Sequence, residues 1–219
     1  MRHRWLLPIV PLLLALAAAP GAQRPTHGRL FLPEDLGILE SPDRDEWQQP
    51  ERIMDALRIA DGSRVADIGA GGGWFTIRLA ARVGPNGRVY AQDVQRLMID
   101  SIKQRAANQR LTQVETILGT ADDPHLPDHL DAVLVVDAYP QFGGHLERVP
   151  VLRHIARALT PHGRLGIVDF KIDGVGGPGP PLEERLDPAV VRAEAEQAGL
   201  RFLREETFLR YQYLLVFGR

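Results

Sequence analysis

Residues 65–76 read Val65-Ala66-Asp67-Ile68-Gly69-Ala70-Gly71-Gly72-Gly73-Trp74-Phe75-Thr76, and the rest of the chain is arranged around them. Apolar Val65, Ala66 and Ile68 feed a glycine loop, and an apolar-periodic segment follows over residues 74–83. This is the pattern of strand, tight turn and helix. Glycines at 69, 71 and 73 admit positive φ and let backbone amides approach a ligand with no Cβ between them. A flat or anionic ligand is expected there.

The glycine spacing narrows the choice. A dinucleotide-binding loop reads G-x-G-x-x-G/A, whereas here the order is G-x-G-x-G and Trp74 stands where the third small residue belongs. Asp67 sits in the last turn of the strand, where it suits an ammonium or water better than a pyrophosphate. The run Asp67, Gly69, Gly71, Gly73 resembles the first motif of the class I S-adenosylmethionine-dependent methyltransferases, in particular an exported bacterial subgroup. The resemblance implies S-adenosyl-L-methionine as cofactor, held in part by Asp67, Gly69, Ala70, Gly71 and Gly73.

Outward from the loop, the apolar period alternates between two and about 3.6 residues, the mark of a parallel sheet with crossover helices. A second strand over 88–92 ends at Asp93, which matches the family acid that accepts both ribose hydroxyls, with Val94 beside it. An NAD enzyme places an acid there too. A helix over 96–110 puts Leu97, Ile99, Ile102 and Ala106 roughly on one face, and 114–118 is a third strand. The stretch 119–127 resembles the family segment that holds the adenine amine; Asp122 has the matching distance to Leu126-Pro127, with Asp123 as its substitute. An Asp-Pro turn at the surface is the plain alternative. His125 and His129 lie four apart, but Pro127 between them argues against a helix, so no metal site is read.

The fourth strand, 130–136, is apolar after Asp131 and is expected to be buried on both faces. It ends at Asp137, followed by Tyr139-Pro140-Gln141, where related chains sharing the Trp-Gln-x-Pro and Asp-Pro-x-Leu-Pro features often carry Tyr-His-His. Both histidines are missing. Asp137 counts as a cofactor residue and, with Tyr139, His145 and Asp169, as a candidate general base near the strand ends. A helix over 146–159, a turn at 160–163 and a fifth strand over 164–169 follow. Asp169 and Lys171 end that strand, facing an acceptor or pairing with each other. Residues 173–181 are rich in glycine and proline and form a lid or a slack connector. A helix over 187–198 and two final strands, 201–207 and 211–217, complete the chain. The fold implied is α/β: a three-layer α/β/α sandwich around a seven-stranded, mostly parallel Rossmann-like sheet whose last strand is antiparallel.

The chain divides into a signal peptide at 1–21, a proline-rich linker or arm at 22–46, and a methyltransferase domain at 47–219. Arg2 and Arg4 precede an apolar stretch, 6–19, that is shorter than the about 20 residues of a spanning helix. Export to the periplasm or medium is the expectation, at odds with a cytoplasmic cofactor, and a membrane contact is expected only through an uncleaved leader. The arm leads through Arg44 and Trp47 into a short helix, 51–57, with Ile53, Met54 and Leu57 inward; in the family such a helix often lids the cofactor.

The net charge of −2, without a basic run beyond the leader, argues against nucleic acid as partner. With no cysteine, disulfides and thiolate chemistry are excluded. The expected reaction is methyl transfer to a small-molecule acceptor by in-line displacement. An NAD-type oxidoreductase and a non-catalytic exported binding protein are the alternatives, and oligomeric state is not readable.

Overall fold

The computed structural model describes residues 40–173 and 177–219; the leader, most of the arm and part of the glycine- and proline-rich segment lie outside them. Two short helices, α1 (Arg44–Gln48) and α2 (Pro50–Ala56), precede strand β1 (Arg64–Ile68). Then come α3 (Trp74–Val83), β2 (Arg88–Asp93), α4 (Arg96–Asn108), β3 (Val114–Leu118) and β4 (Leu130–Val136). After β4 the chain runs through α5 (His145–Ala158), β5 (Leu159–Phe170), α6 (Pro188–Gln197), β6 (Arg201–Glu206) and β7 (Gln212–Gly218).

The strands form one sheet in the order β3-β2-β1-β4-β5-β7-β6, in which β7 alone runs against its neighbours. From β1 the chain goes outward to β2 and β3, then crosses back so that β4 pairs on the other side of β1. That reversal leaves a crevice beyond the carboxyl ends of β1 and β4, the place where open α/β sheets bind ligands.

Alternation along each central strand divides the core between two helical layers. Val65, Ala132, Leu134 and Val136 pack with Ile53, Met54 and Leu57 of the α2 region and with Phe75, Leu79 and Val83 of α3. Ala66, Ile68, Val133 and Val135 face the opposite way, onto Leu152 and Ile155 of α5 and Val191 and Ala195 of α6. Both faces of β1 and β4 are therefore dry, which is why these strands read as continuous apolar runs. The three layers and the reversed last strand agree with the sequence-based expectation.

Three local expectations need correction. Leu97 is 65% exposed, and the buried face of α4 is Met98, Ile99, Ile102 and Ala106, the set that keeps helical spacing. Residues 160–163 are not a turn between helix and strand but part of β5: Leu159 pairs with Leu130, and pairing resumes at Arg164 with Ala132, so the intervening residues form a bulge. Lys171 does not pair with Asp169; its Nζ donates to Leu209 O at 2.8 Å.

Candidate active site

At the end of β1 the chain turns through Gly69, Gly71 and Gly73, all at positive φ. A Cβ on Gly69 would stand 2.5 Å from the Cβ of Ala138, so only a glycine lets the loop cross beside the end of β4. Asp93, closing β2, fixes the loop from the other side. Its Oδ2 accepts the Gly71 N–H at 3.0 Å and its Oδ1 the Gln95 N–H at 2.9 Å. Burial raises the Asp93 carboxyl, while donation from Gln95 and Gly71 opposes the rise. Asp67 is buried more deeply; its Oδ2 accepts the Thr76 hydroxyl at 2.7 Å, and burial pushes it up to about 6.

These groups wall a cavity of about 430 Å³. Asp67, Gly69, Ala70, Gly71, Asp93, Val94 and Asp137 all line it, so the structure brings seven sequence-predicted residues to one place. Gly73, Asp122 and Asp123 do not line it. Gly73 instead starts α3 at φ 83°, where a Cβ would come within 3.1 Å of Ile102. Asp122 accepts the Thr120 hydroxyl at 2.7 Å, which holds its carboxyl below the ordinary value, and Asp123 accepts the His125 N–H at 2.8 Å. The two acids shape the turn that carries Thr120, Ala121 and Pro124 into the cavity wall.

Asp137 stands at the end of β4 in the left-handed region, φ 56°, a strained conformation for a residue with a Cβ. Side chains from both ends of the chain hold it there. Arg44 Nη2 lies 3.3 Å and Gln48 Nε2 3.1 Å from its Oδ2, and Gln212 Nε2 donates to its Oδ1. Arg44 Nε in turn donates to Gln48 Oε1 at 2.6 Å, and the Arg44 guanidinium lies 4.2 Å from the Trp74 ring centre. The helix α1 is thus latched across the crevice. Arg44 was legible as a lid residue, and Gln48 stands within the Trp-Gln-x-Pro feature; Gln212 and Thr76 carried no signal.

A larger cleft, about 1990 Å³, adjoins the first cavity, and Arg44, Asp137, Gln141, Gly143 and Glu147 belong to both walls. Trp47, Phe170, Tyr211, Pro178 and Pro180 give its wall an apolar, ring-lined patch beside Asp169, Arg185 and His145, and further charged side chains, among them Glu46, Arg148 and Glu184, line the rest. The Trp47 and Phe170 rings lie tilted by 41° with their centres 6.1 Å apart. Tyr139 is absent from this wall. It is fully buried and its hydroxyl donates to Glu194 Oε2 at 2.8 Å. Arg148 Nε and Nη2 reach the two oxygens of Glu194 at 2.8 Å each, and His145 Nδ1 lies 3.0 Å from Oε1. Burial alone would raise Glu194, but donation from Arg148, Tyr139 and His145 holds it below the ordinary value. The network ties α5 to α6, and burial with the nearby Glu194 charge drives the Tyr139 hydroxyl far above its usual range. A proton acceptor for chemistry at the strand ends is not what Tyr139 offers.

The chemistry of the first cavity selects its ligand. Five acidic residues, Glu40, Asp67, Asp93, Asp137 and Glu147, line it with Arg44 as the one basic residue among the described residues of the wall. A pyrophosphate would meet repulsion there, and Trp74 occupies the position of the third small residue. A cationic nucleoside fits: a diol-binding acid, an apolar slot at Val94, Met98 and Pro124, and further carboxylates toward Asp137. Residues 65–163 match the family model described as a methyltransferase domain. Over that stretch, a little under half of the chain, the sequence is similar to the methyltransferase domain family. Its fold is similar to that of a solved S-adenosylmethionine-dependent methyltransferase from Aquifex aeolicus. The TM-score is 0.79 and the identity 27%, over 85% of this chain and 98% of that one. The chain is also 32% identical over 130 residues to a demethylmenaquinone methyltransferase of Lactobacillus johnsonii, covering 56% of this chain and 49% of that protein. It is 38% identical over 127 residues to an uncharacterised methyltransferase of Mycobacterium tuberculosis, covering 58% and 47%. The chain spans about half the length of these two relatives.

Proposed function

We propose that the protein transfers a methyl group from S-adenosyl-L-methionine, held in the first cavity, to a small-molecule acceptor in the adjoining cleft. The observation that carries the reading is the shared wall at Asp137: an acid-lined cavity of nucleoside character opens there onto a cleft with a patch of aromatic rings. Asp93 takes the ribose hydroxyls, and its hold on Gly71 keeps the loop amides in place. Val94, Met98 and Pro124 cover the adenine. Asp67 and Asp137 set a negative field at the far end, where a positive ligand is favoured. The bound cofactor supplies a methyl group already activated by the positive charge on sulfur, so orientation supplies most of the rate. Arg44, Gln48 and Trp47 close the crevice and keep water from the meeting point of the two cavities.

The name demethylmenaquinone methyltransferase among the relatives, together with the lining of Trp47, Phe170 and Tyr211, supports an aromatic, uncharged acceptor. Calorimetric titration of the full chain with S-adenosylmethionine, S-adenosylhomocysteine and NAD is the test. Micromolar binding of the two sulfur compounds and none of NAD is expected. Binding of NAD alone, or of none, refutes the assignment.

A further inference from the structure

Asp169, at the end of β5, is the buried group that the fold leaves half satisfied. The residue is 2% exposed and lines the acceptor cleft. Its Oδ1 accepts the N–H of Phe170 at 2.8 Å, whereas its Oδ2 is buried with no hydrogen-bond partner among the described residues. An ionised carboxylate with one oxygen left unmet inside a protein is costly, and such a group either takes up a proton or waits for a ligand.

The neighbours point to the proton. Asp137, on the adjacent strand, receives Arg44, Gln48 and Gln212, so it is the better-compensated member of the two carboxyls. Its negative charge acts on Asp169. Arg185 attracts weakly from the segment before α6, and Tyr213, paired with Asp169 in register on β7, has its hydroxyl directed to Leu186 O at 3.3 Å. Burial first, and the Asp137 charge second, push the Asp169 carboxyl up to about 8. At neutral pH it is an acid with Oδ1 engaged as an acceptor, which leaves Oδ2 to carry the hydrogen as a donor. Around it stand the Trp47 and Phe170 rings, Tyr211, and the Arg185 guanidinium 5.5 Å from the Phe170 ring centre.

We propose that Asp169 is the acceptor-recognition residue of the cleft, donating a hydrogen bond from Oδ2 to an oxygen of a flat, carbonyl- or hydroxyl-bearing ring seated against Trp47 and Phe170. The proposal rests on the methyl-transfer reading for the role of the cleft. Two carboxyls on neighbouring strands then serve different ligands, Asp137 presenting charge to the cofactor side and Asp169 a neutral donor to the acceptor side. An oxygen acceptor atom is favoured and an ammonium is disfavoured, because a neutral acid offers the latter no counter-charge.

The test uses the full chain saturated with S-adenosylhomocysteine and two flat probes that do not titrate, 9-fluorenone and its oxygen-free counterpart fluorene, followed by tryptophan quenching from pH 6.5 to 9.5. In the native chain, fluorenone is expected to bind at least about tenfold more tightly than fluorene at pH 6.5 and to lose that advantage as pH rises through about 8. Asp169→Asn, whose amide also donates, is expected to hold fluorenone within about threefold at every pH, whereas Asp169→Ala loses it about tenfold. Fluorenone binding that is flat with pH or absent, or an Asn variant as weak as the Ala variant, overturns the proposal. S-adenosylhomocysteine binding is measured on all three proteins. Its failure in the native chain marks failure of the methyltransferase assignment, and its retention beside a pH-independent probe overturns the Asp169 role alone.

Discussion

The two halves of the sheet's carboxyl edge are built from different materials. On the side of β1 and β2 the site is mostly backbone: glycines at positive φ, amides held by Asp93, and a turn shaped by Thr120. On the side of β4, β5 and β7 it is side chains: Asp137 latched by Arg44, Gln48 and Gln212, and Asp169 against aromatic rings. A backbone site needs particular residue types at particular spacings, so it keeps one ligand. A side-chain site can change its ligand by changing its side chains, and its chemistry must be read from contacts.

Substitutions break or sharpen this contrast. The largest effect is expected from Gly69→Ala, which forces a Cβ toward Ala138 at φ 68°. Loss of about 2–4 kcal/mol in denaturant unfolding, with cofactor binding abolished, is expected. Near-native affinity would show that the loop is not the close-packed element described. Asp93→Ala removes both the proposed diol acceptor and the hold on Gly71; S-adenosylhomocysteine affinity should fall about 100-fold by calorimetry. On the side-chain half, Arg44→Ala unpins α1, and a loss of roughly tenfold in the same affinity is expected, with faster amide exchange over residues 44–49.

Asp169→Asn tests the energetic side of the contrast. Because the Asp169 carboxyl lies at about 8 in the folded chain against 3.8 ordinarily, the native state binds more protons than the unfolded one between those values. Its contribution to stability therefore falls as pH rises across that window. The Asn variant should match the native chain near pH 4 and exceed it by about 1–3 kcal/mol at pH 9, read from paired thermal or urea melts. The smallest effect is expected from Tyr139→Phe: about 1 kcal/mol of stability lost with the Glu194 hydrogen bond, and methyl-transfer rates unchanged. A rate loss of tenfold or more would return Tyr139 to the reacting centre.

The same contrast explains what could be read from the chain beforehand. Gly69, Gly71, Asp67 and Asp93 were legible because positive φ and a strand-end acid restrict the residue type at each position. The alternation in β1 and β4 was legible because both faces are covered, and Asp187-Pro188 marked the start of α6 through the cap it makes with the Ala189 N–H. Gln212 was not legible, since its partner Gln48 is remote in sequence and nothing local requires an amide in an apolar strand. Tyr139 and Asp169 looked alike as strand-end polar groups. Only the packing of α6, which brings Glu194 to one and leaves the other without a donor for Oδ2, tells them apart. The bulge in β5 escaped for a related reason: Thr160-Pro161-His162-Gly163 has turn chemistry, and pairing with β4 stretches it into the strand.

The latch on Asp137 also bears on the birth of the molecule. Synthesis proceeds from the N-terminus, so the glycine loop, Asp93 and Asp137 leave the ribosome well before Gln212, which completes the grip on Asp137 from β7. A nascent chain halted before that strand holds the floor of the cavity without the final clasp of its roof. Loss of residues 212–219 would likewise be felt at Asp137, at the far end of the sheet's crevice.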